Sequence, residues 1–452
     1  MKKNTTVAVG SLSKRDTITG VLIIGFLFFM FGFTSWINAI LIPYFKIAFQ
    51  LTHVQSYLVT FAFYISYLLF SVPASFLLKN VGFKKGMMIG FWIMSGGAFL
   101  FVPAAITMTY ELFLLGLFSI GAGLALLQTA ANPYITILGP KERAAQRFSI
   151  MGICNKGAGI LAPLLFAAVI FRATDSDMFD NLAQMSEAEK NAALHELIQR
   201  VIIPYACVGT FLFLLGMFIR FSPLPEIDTE HESEDVALAN VDKTSVTQFP
   251  HLVLGAVAIF LHVGTQVISI DTVISYAATM NLNLIEAKVF PSYTLTAQIC
   301  AYIVGIIAIP RFFSQLNALR VSTVLGIVLT LLIVFARGQV TFLSHTTDIS
   351  IWFVVMLGLA NSLVWAGVWP LALDGLGRFT KIGASLMVMG LAGNAILPLI
   401  YGYFVDLSSA REAYWVLFPC YLFLVFYAFK GYRLRKWSGS KDKAVKVESQ
   451  PV

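Results

Sequence analysis

Runs of roughly 17 to 25 apolar residues recur along this chain, and a run of that length is what an α-helix needs to cross a bilayer. Twelve can be marked, over residues 19–44, 56–78, 86–106, 111–138, 148–171, 201–220, 251–277, 289–310, 319–336, 349–373, 382–405 and 412–431. Hydrocarbon offers no water to backbone N–H and C=O groups, so such segments must satisfy them internally, as helices. The expected fold class is an all-α membrane protein with twelve transmembrane helices. The first run is too long for a cleavable leader and has no small-residue cleavage site behind it, so it reads as the first span.

The basic residues test this count independently. Of 31 Lys and Arg, 23 fall in alternate connections and the two ends: Lys2–Arg15, Lys79–Lys85, Lys141–Arg147, Arg220–Lys243, Arg311–Arg320, Arg378–Lys381 and Lys430 onward. Positive charge is retained on the cytoplasmic side, so both termini are expected there. The same bias accounts for the net charge of +7 without a nucleic-acid partner; the bilayer is the expected surroundings. With 58% hydrophobic and 12% charged residues, nothing suggests a large soluble domain. The four cysteines, Cys154, Cys207, Cys300 and Cys420, show no CxxC spacing and read as small core residues.

Two connections are long enough to carry structure of their own. In the outer one, Arg172 to Arg200, Ser186-Glu-Ala-Glu-Lys190 has the capping chemistry to open a surface helix. The other, Pro223 to Gln248, holds seven acids including Glu226, Asp228 and Glu230 and reads as a solvated linker. The expected organisation is a cytoplasmic N-terminus (1–18), a six-helix bundle (19–222), an acidic linker (223–249), a second six-helix bundle (250–431) and a basic tail (432–452). The halves echo each other: Pro133, a basic turn, Gly152 and Asn155 in the first answer to Pro370, Asp374, Arg378, Gly390 and Asn394 in the second. Such repeats place a site between two bundles near the bilayer midplane, the layout of a secondary transporter.

Polar groups at membrane depth mark where that site lies, because they must face protein or water. Gln128 and Asn132 are one turn apart on the fourth run, and Asn155 and Lys156 interrupt the fifth. His262 and Gln266 share a face of the seventh, with Asp271 nearer its outer end. On the tenth, Asn361, Trp365 and Trp369 fall at i, i+4 and i+8. Trp365 is the candidate aromatic platform, whereas Trp369 beside Pro370 is expected to be an interfacial anchor. Tyr64, Tyr67 and Asn394 are weaker candidates. Amides both donate to and accept from hydroxyls, and an indole face packs on sugar C–H groups. Amides, one His and Trp, rather than a ring of Arg, point to a neutral monosaccharide. Lys84 and Lys85 after the second span, and Asp374 with Arg378 after the tenth, are candidate gate residues. No enzyme is expected: His195-Glu196-Leu-Ile-Gln199 lacks the second His of a zinc motif, and GxxxxGK[ST] does not occur. Neither cofactor nor metal is implied.

LQTAANPYITILGP at 127–140, WINAILIPYFK at 36–46 and YLLFSVPASFLLKNVGFKKG at 67–86 resemble the fucose–galactose–glucose:proton symporter family of the major facilitator superfamily. The resemblance runs over essentially every span. It implies that superfamily's fold, two pseudo-symmetric six-helix bundles, with alternating-access uptake of a hexose or N-acetylhexosamine across the bacterial inner membrane, by a monomer. It also implies a sugar site at Asn38, Gln128, Asn132 and Asn155. Two family carboxylates are absent, for Ala39 and Gln128 stand in their places, and Lys156 stands where Ser is common. The coupling candidates left are Lys156 and Asp271, for protons or for sodium. Facilitated diffusion without an ion, and a non-transporting sugar receptor, stay open at this point.

Overall fold

A computed structural model describes residues 6–7, 14–51, 53–138, 140–170, 185–222, 226–227, 240, 242–280, 282, 287 and 289–437. Helices α1 (Lys14–Ala48), α2 (His53–Thr107), α3 (Tyr110–Ile137) and α4 (Ala144–Ile170) open the fold. The surface helix α5 (Glu187–Gln199) and α6 (Ile202–Phe221) complete its first half. The second half holds α7 (Pro250–Asp271), the short α8 (Val273–Ala278), α9 (Phe290–Ala308) and α10 (Gln315–Phe335). It ends with α11 (Ser350–Leu373), α12 (Thr380–Met389), α13 (Gly393–Leu407) and α14 (Leu417–Phe429).

Among the described residues, ten segments are long and apolar enough to cross a membrane. One of them, Phe61–Thr107, is 47 residues long, too long for a single crossing. It is broken at Gly82, whose φ of 82° is a conformation glycine adopts without a Cβ penalty. The segments expected at 56–78 and 86–106 are therefore the two arms of α2. Beside that turn, Lys84 is buried and donates to the Ser222 carbonyl at 2.5 Å, tying the turn to the end of α6. The 27-residue α4 is long enough to span as well, and the set agrees with twelve crossings.

α5 starts where its capping chemistry places it. The Ser186 hydroxyl accepts from the Glu189 amide while the Glu189 carboxylate accepts from the Ser186 amide, a reciprocal capping box. The Tyr44 hydroxyl donates to the Leu197 carbonyl, which pins this helix to α1. The connection after α10 departs from expectation. Strands β3 (Gln339–Phe342) and β4 (His345–Asp348) form an antiparallel hairpin there; two-residue strands β1 (Thr6–Val7) and β2 (Glu226–Ile227) pair in parallel elsewhere. Short alternating Thr residues gave little signal for that hairpin between two spans. Arg411, ahead of α14, clamps it with a 2.7 Å ion pair to Asp348 and a 3.0 Å bond to the Ala336 carbonyl.

Candidate functional site

A cavity of about 160 Å³ lies between the halves. From the first half it is lined by Phe28, Phe31 and Ser35 of α1, Tyr64 and Tyr67 of α2, Gln128 of α3, and Phe148, Gly152, Asn155 and Lys156 of α4. From the second come His262, Gln266 and Ile270 of α7, Tyr302 of α9, Trp365 of α11 and Asn394 of α13. The broken second-half segment brings Asn394 here: α12 passes into α13 through a 3₁₀ turn over Gly390–Ala392.

The polar groups bond within the first half and, at two points, across the interface. Gln128 Nε2 donates to the Tyr67 hydroxyl at 3.3 Å, and Ser35 also bonds that hydroxyl. Asn155 Nδ2 donates to the Phe28 carbonyl at 3.3 Å, which holds α4 to α1. Lys156 is buried, and its Nζ donates to Gln266 Oε1 on the opposite half at 3.2 Å. Lys156 and Asp271 attract one another electrostatically. Asp271 is the last residue of α7, one position beyond the cavity-lining Ile270, and is exposed. The Asn394 side chain bonds the Tyr64 hydroxyl, also across the halves. His262 is buried against the cavity, and its Nδ1 has no hydrogen-bond partner among the described residues.

The site residues expected from sequence divide into three groups. Gln128, Asn155, Lys156, His262, Gln266 and Trp365 all reach the cavity. Asn132 and Asn361 are fully buried away from it. Asn361 is committed locally: Oδ1 accepts from the Tyr421 hydroxyl at 2.8 Å and from Thr265 at 3.1 Å, and Nδ2 faces Ser269 at 3.4 Å. Asn38 lies on α1, but its side chain is outside the described residues. Trp369 is no interfacial anchor. It is wholly buried, 5.4 Å from the Trp365 ring and 6.4 Å from Phe148 across the interface. Phe28, Phe31 and Tyr302 escaped sequence reading because an aromatic within an apolar run looks the same whether it faces lipid, core or ligand.

Contacts between the halves gather at the basic-loop end. Gln146 Nε2 donates to the Ile306 carbonyl at 2.7 Å, and the Ala145 amide to Gln315 Oε1 at 3.2 Å. Lys381 lies over the Phe83 ring at 5.6 Å. Just above, Tyr302 packs so closely on Gly152 that a Cβ there would stand 2.4 Å from the ring. These contacts close the cavity toward the basic loops. The expected gate residues sit differently from one another. Lys84 is tied to α6 and Lys85 is exposed. Asp374 pairs with Arg435 of the tail at 2.8 Å, and Arg378 donates to the Lys243 carbonyl of the linker at 2.9 Å.

Comparison with known proteins fits this architecture. The family model "Major Facilitator Superfamily" matches residues 24–390. A glucose/galactose transporter of Brucella abortus is 32% identical over 408 residues, 90% of this chain and 92% of that one. The L-fucose-proton symporter of Escherichia coli is 29% identical over 90% of this chain and 91% of its own. A crystal structure of the transporter FucP in the outward conformation superposes with a TM-score of 0.79 at 26% identity, covering 94% of this chain and all of that one. A cavity shared by two helical halves, closed at one end, in a chain matched over most of its length by that family, places it in the Major Facilitator Superfamily.

Proposed function

We propose that this protein takes up a neutral monosaccharide by symport, through alternating access, across a bacterial inner membrane. The observation that carries the reading is the cavity itself: amides from both halves, Gln128 and Asn155 in the first and Gln266 and Asn394 in the second, line it together with an indole, Trp365. Amides match sugar hydroxyls and the indole matches the C–H face of the ring. Relatives transporting glucose, galactose or L-fucose support the substrate class. Closure at the basic-loop end and the likeness to an outward-conformation structure support an outward-facing state, with both termini cytoplasmic and the halves divided at the 223–249 linker.

Coupling in this chain falls to different groups, since neither Ala39 nor Gln128 titrates. Lys156 bridges the halves through Gln266 and feels Asp271. Rocking the halves changes the separation of ammonium and carboxylate, and with it the protonation each favours. A proton relative supports this choice over sodium. The second reading is facilitated diffusion, in which the Lys156 ammonium permanently replaces a coupled cation; its hydrogen bond to Gln266 favours it. The experiment is counterflow in proteoliposomes with a panel of hexoses and N-acetylhexosamines, with proton and sodium gradients imposed separately. Uptake competed by anionic sugars but by no neutral hexose refutes the substrate class.

A further inference from the structure

Below the cavity the closed end hides a second rung of the same chemistry. Gln128 and Trp365 line the cavity; four residues on, along the same helices, stand Asn132 and Trp369. Both helices run toward the basic loops, so both residues lie about 6 Å deeper. Both are fully buried. The two amide atoms of Asn132 and the indole N–H of Trp369 have no hydrogen-bond partner among the described residues. Phe148, which lines the cavity, stacks on Trp369. α3 and α11 touch across the two halves.

Orphaned polar groups in a membrane interior are costly, and native structures rarely keep them without another state in which they are satisfied. We infer that Asn132 and Trp369 form a second sugar subsite that assembles when the basic-loop end opens. Sugar leaving Gln128 and Trp365 then meets an amide and an indole in the same arrangement one turn nearer the cytoplasm. This inference rests on the sugar-transport reading.

The test is exchange of labelled glucose, galactose or fucose in right-side-out and inside-out vesicles, without ion gradients, one side saturated and the other varied. For Asn132→Ala the half-saturating concentration on the cytoplasmic side is expected to rise roughly tenfold, the size of one lost hydrogen bond. The outer-side value should stay within about twofold, since a neutral change below the cavity leaves the upper rung intact. Trp369→Phe keeps a ring and removes the N–H, so its rise should be smaller and equally one-sided. Equal rises on both sides, or none on either, overturn the subsite. Asn132→Leu guards against misfolding: its thermal midpoint should be no lower than the wild type's, and a lower one means the amide is already bonded when closed. Absence of exchange of any neutral monosaccharide by the wild type instead refutes the transport reading.

Discussion

Gly152→Ala perturbs the interface between the halves in the wall of the cavity, which Gly152 and Tyr302 both line. The added Cβ would stand 2.4 to 2.7 Å from three ring carbons of Tyr302, against about 3.5 to 4.0 Å for a comfortable carbon contact. Tyr302 is buried, so its ring has little room to swing, and α4 and α9 must part by about 1 Å instead. Overpacking of this kind costs about 1–3 kcal/mol. Here it acts on the closed form of the basic-loop end and is relieved when that end opens. A shift of that size moves the balance between the two forms by about 5- to 150-fold. The assay is binding of labelled sugar from the outer side in right-side-out vesicles, where the apparent affinity falls by the fraction of outward-facing protein lost. Gly152→Ala with Tyr302→Ala removes the clash and should restore outer-side affinity beyond what Tyr302→Ala alone shows. Unchanged outer-side binding in the single variant, or no coupling in the double variant, refutes the idea that this contact closes the inner end.

Arg147 is buried and donates to the Ile135, Thr136 and Pro140 carbonyls, each at 2.9 Å, so it seals the end of α3. Arg147→Met should cost about 2–4 kcal/mol, the loss of charged hydrogen bonds to carbonyls left buried, read as a drop in thermal midpoint in detergent. Trp365→Ala and Gln128→Ala should each weaken sugar binding by roughly tenfold with the thermal midpoint little changed, measured by equilibrium binding. Asp348 carries a pH prediction: burial alone would raise its pKa, but bonds from Arg411 and Ser350 outweigh that and hold it below the usual value. A depressed folded value means the hairpin's anchoring is complete above the ordinary carboxylate range near 4 and is lost as pH falls through that range and below. Protection factors for the amides of Gln339–Asp348, corrected for the intrinsic pH dependence of exchange, should therefore be lower at pH 3 than at pH 7, and Arg411→Gln should shrink the difference.

Much of this protein could be read before its structure. Apolar run length marked the crossings because bilayer thickness and backbone hydrogen bonding leave the chain few options. Lys156 was conspicuous for the same reason: an ammonium within a span needs a polar partner, and it found Gln266 across the interface. Periodicity fails at a finer level. Positions 361, 365 and 369 share a helix face, yet that face turns by some 40° every four residues and crosses different depths. Asn361 thus meets Thr265 and Tyr421, Trp365 meets the cavity, and Trp369 meets Phe148. Helical spacing identifies a side but not what stands opposite it. The Gly152 contact was equally hidden, since only the packed halves reveal which glycine sits against an aromatic ring.

Two carboxylates that the resemblance would supply are absent from this chain, so coupling of sugar to an ion must run through other groups. The direct measurement is accumulation of labelled sugar in proteoliposomes carrying the wild type, Lys156→Gln or Asp271→Asn, under an imposed proton gradient. The wild type should concentrate sugar, and both variants should lose accumulation while keeping counterflow, since the cavity amides and Trp365 are untouched. Wild type that equilibrates but never accumulates points to facilitated diffusion, and variants that concentrate sugar as well as the wild type contradict the Lys156–Asp271 account outright.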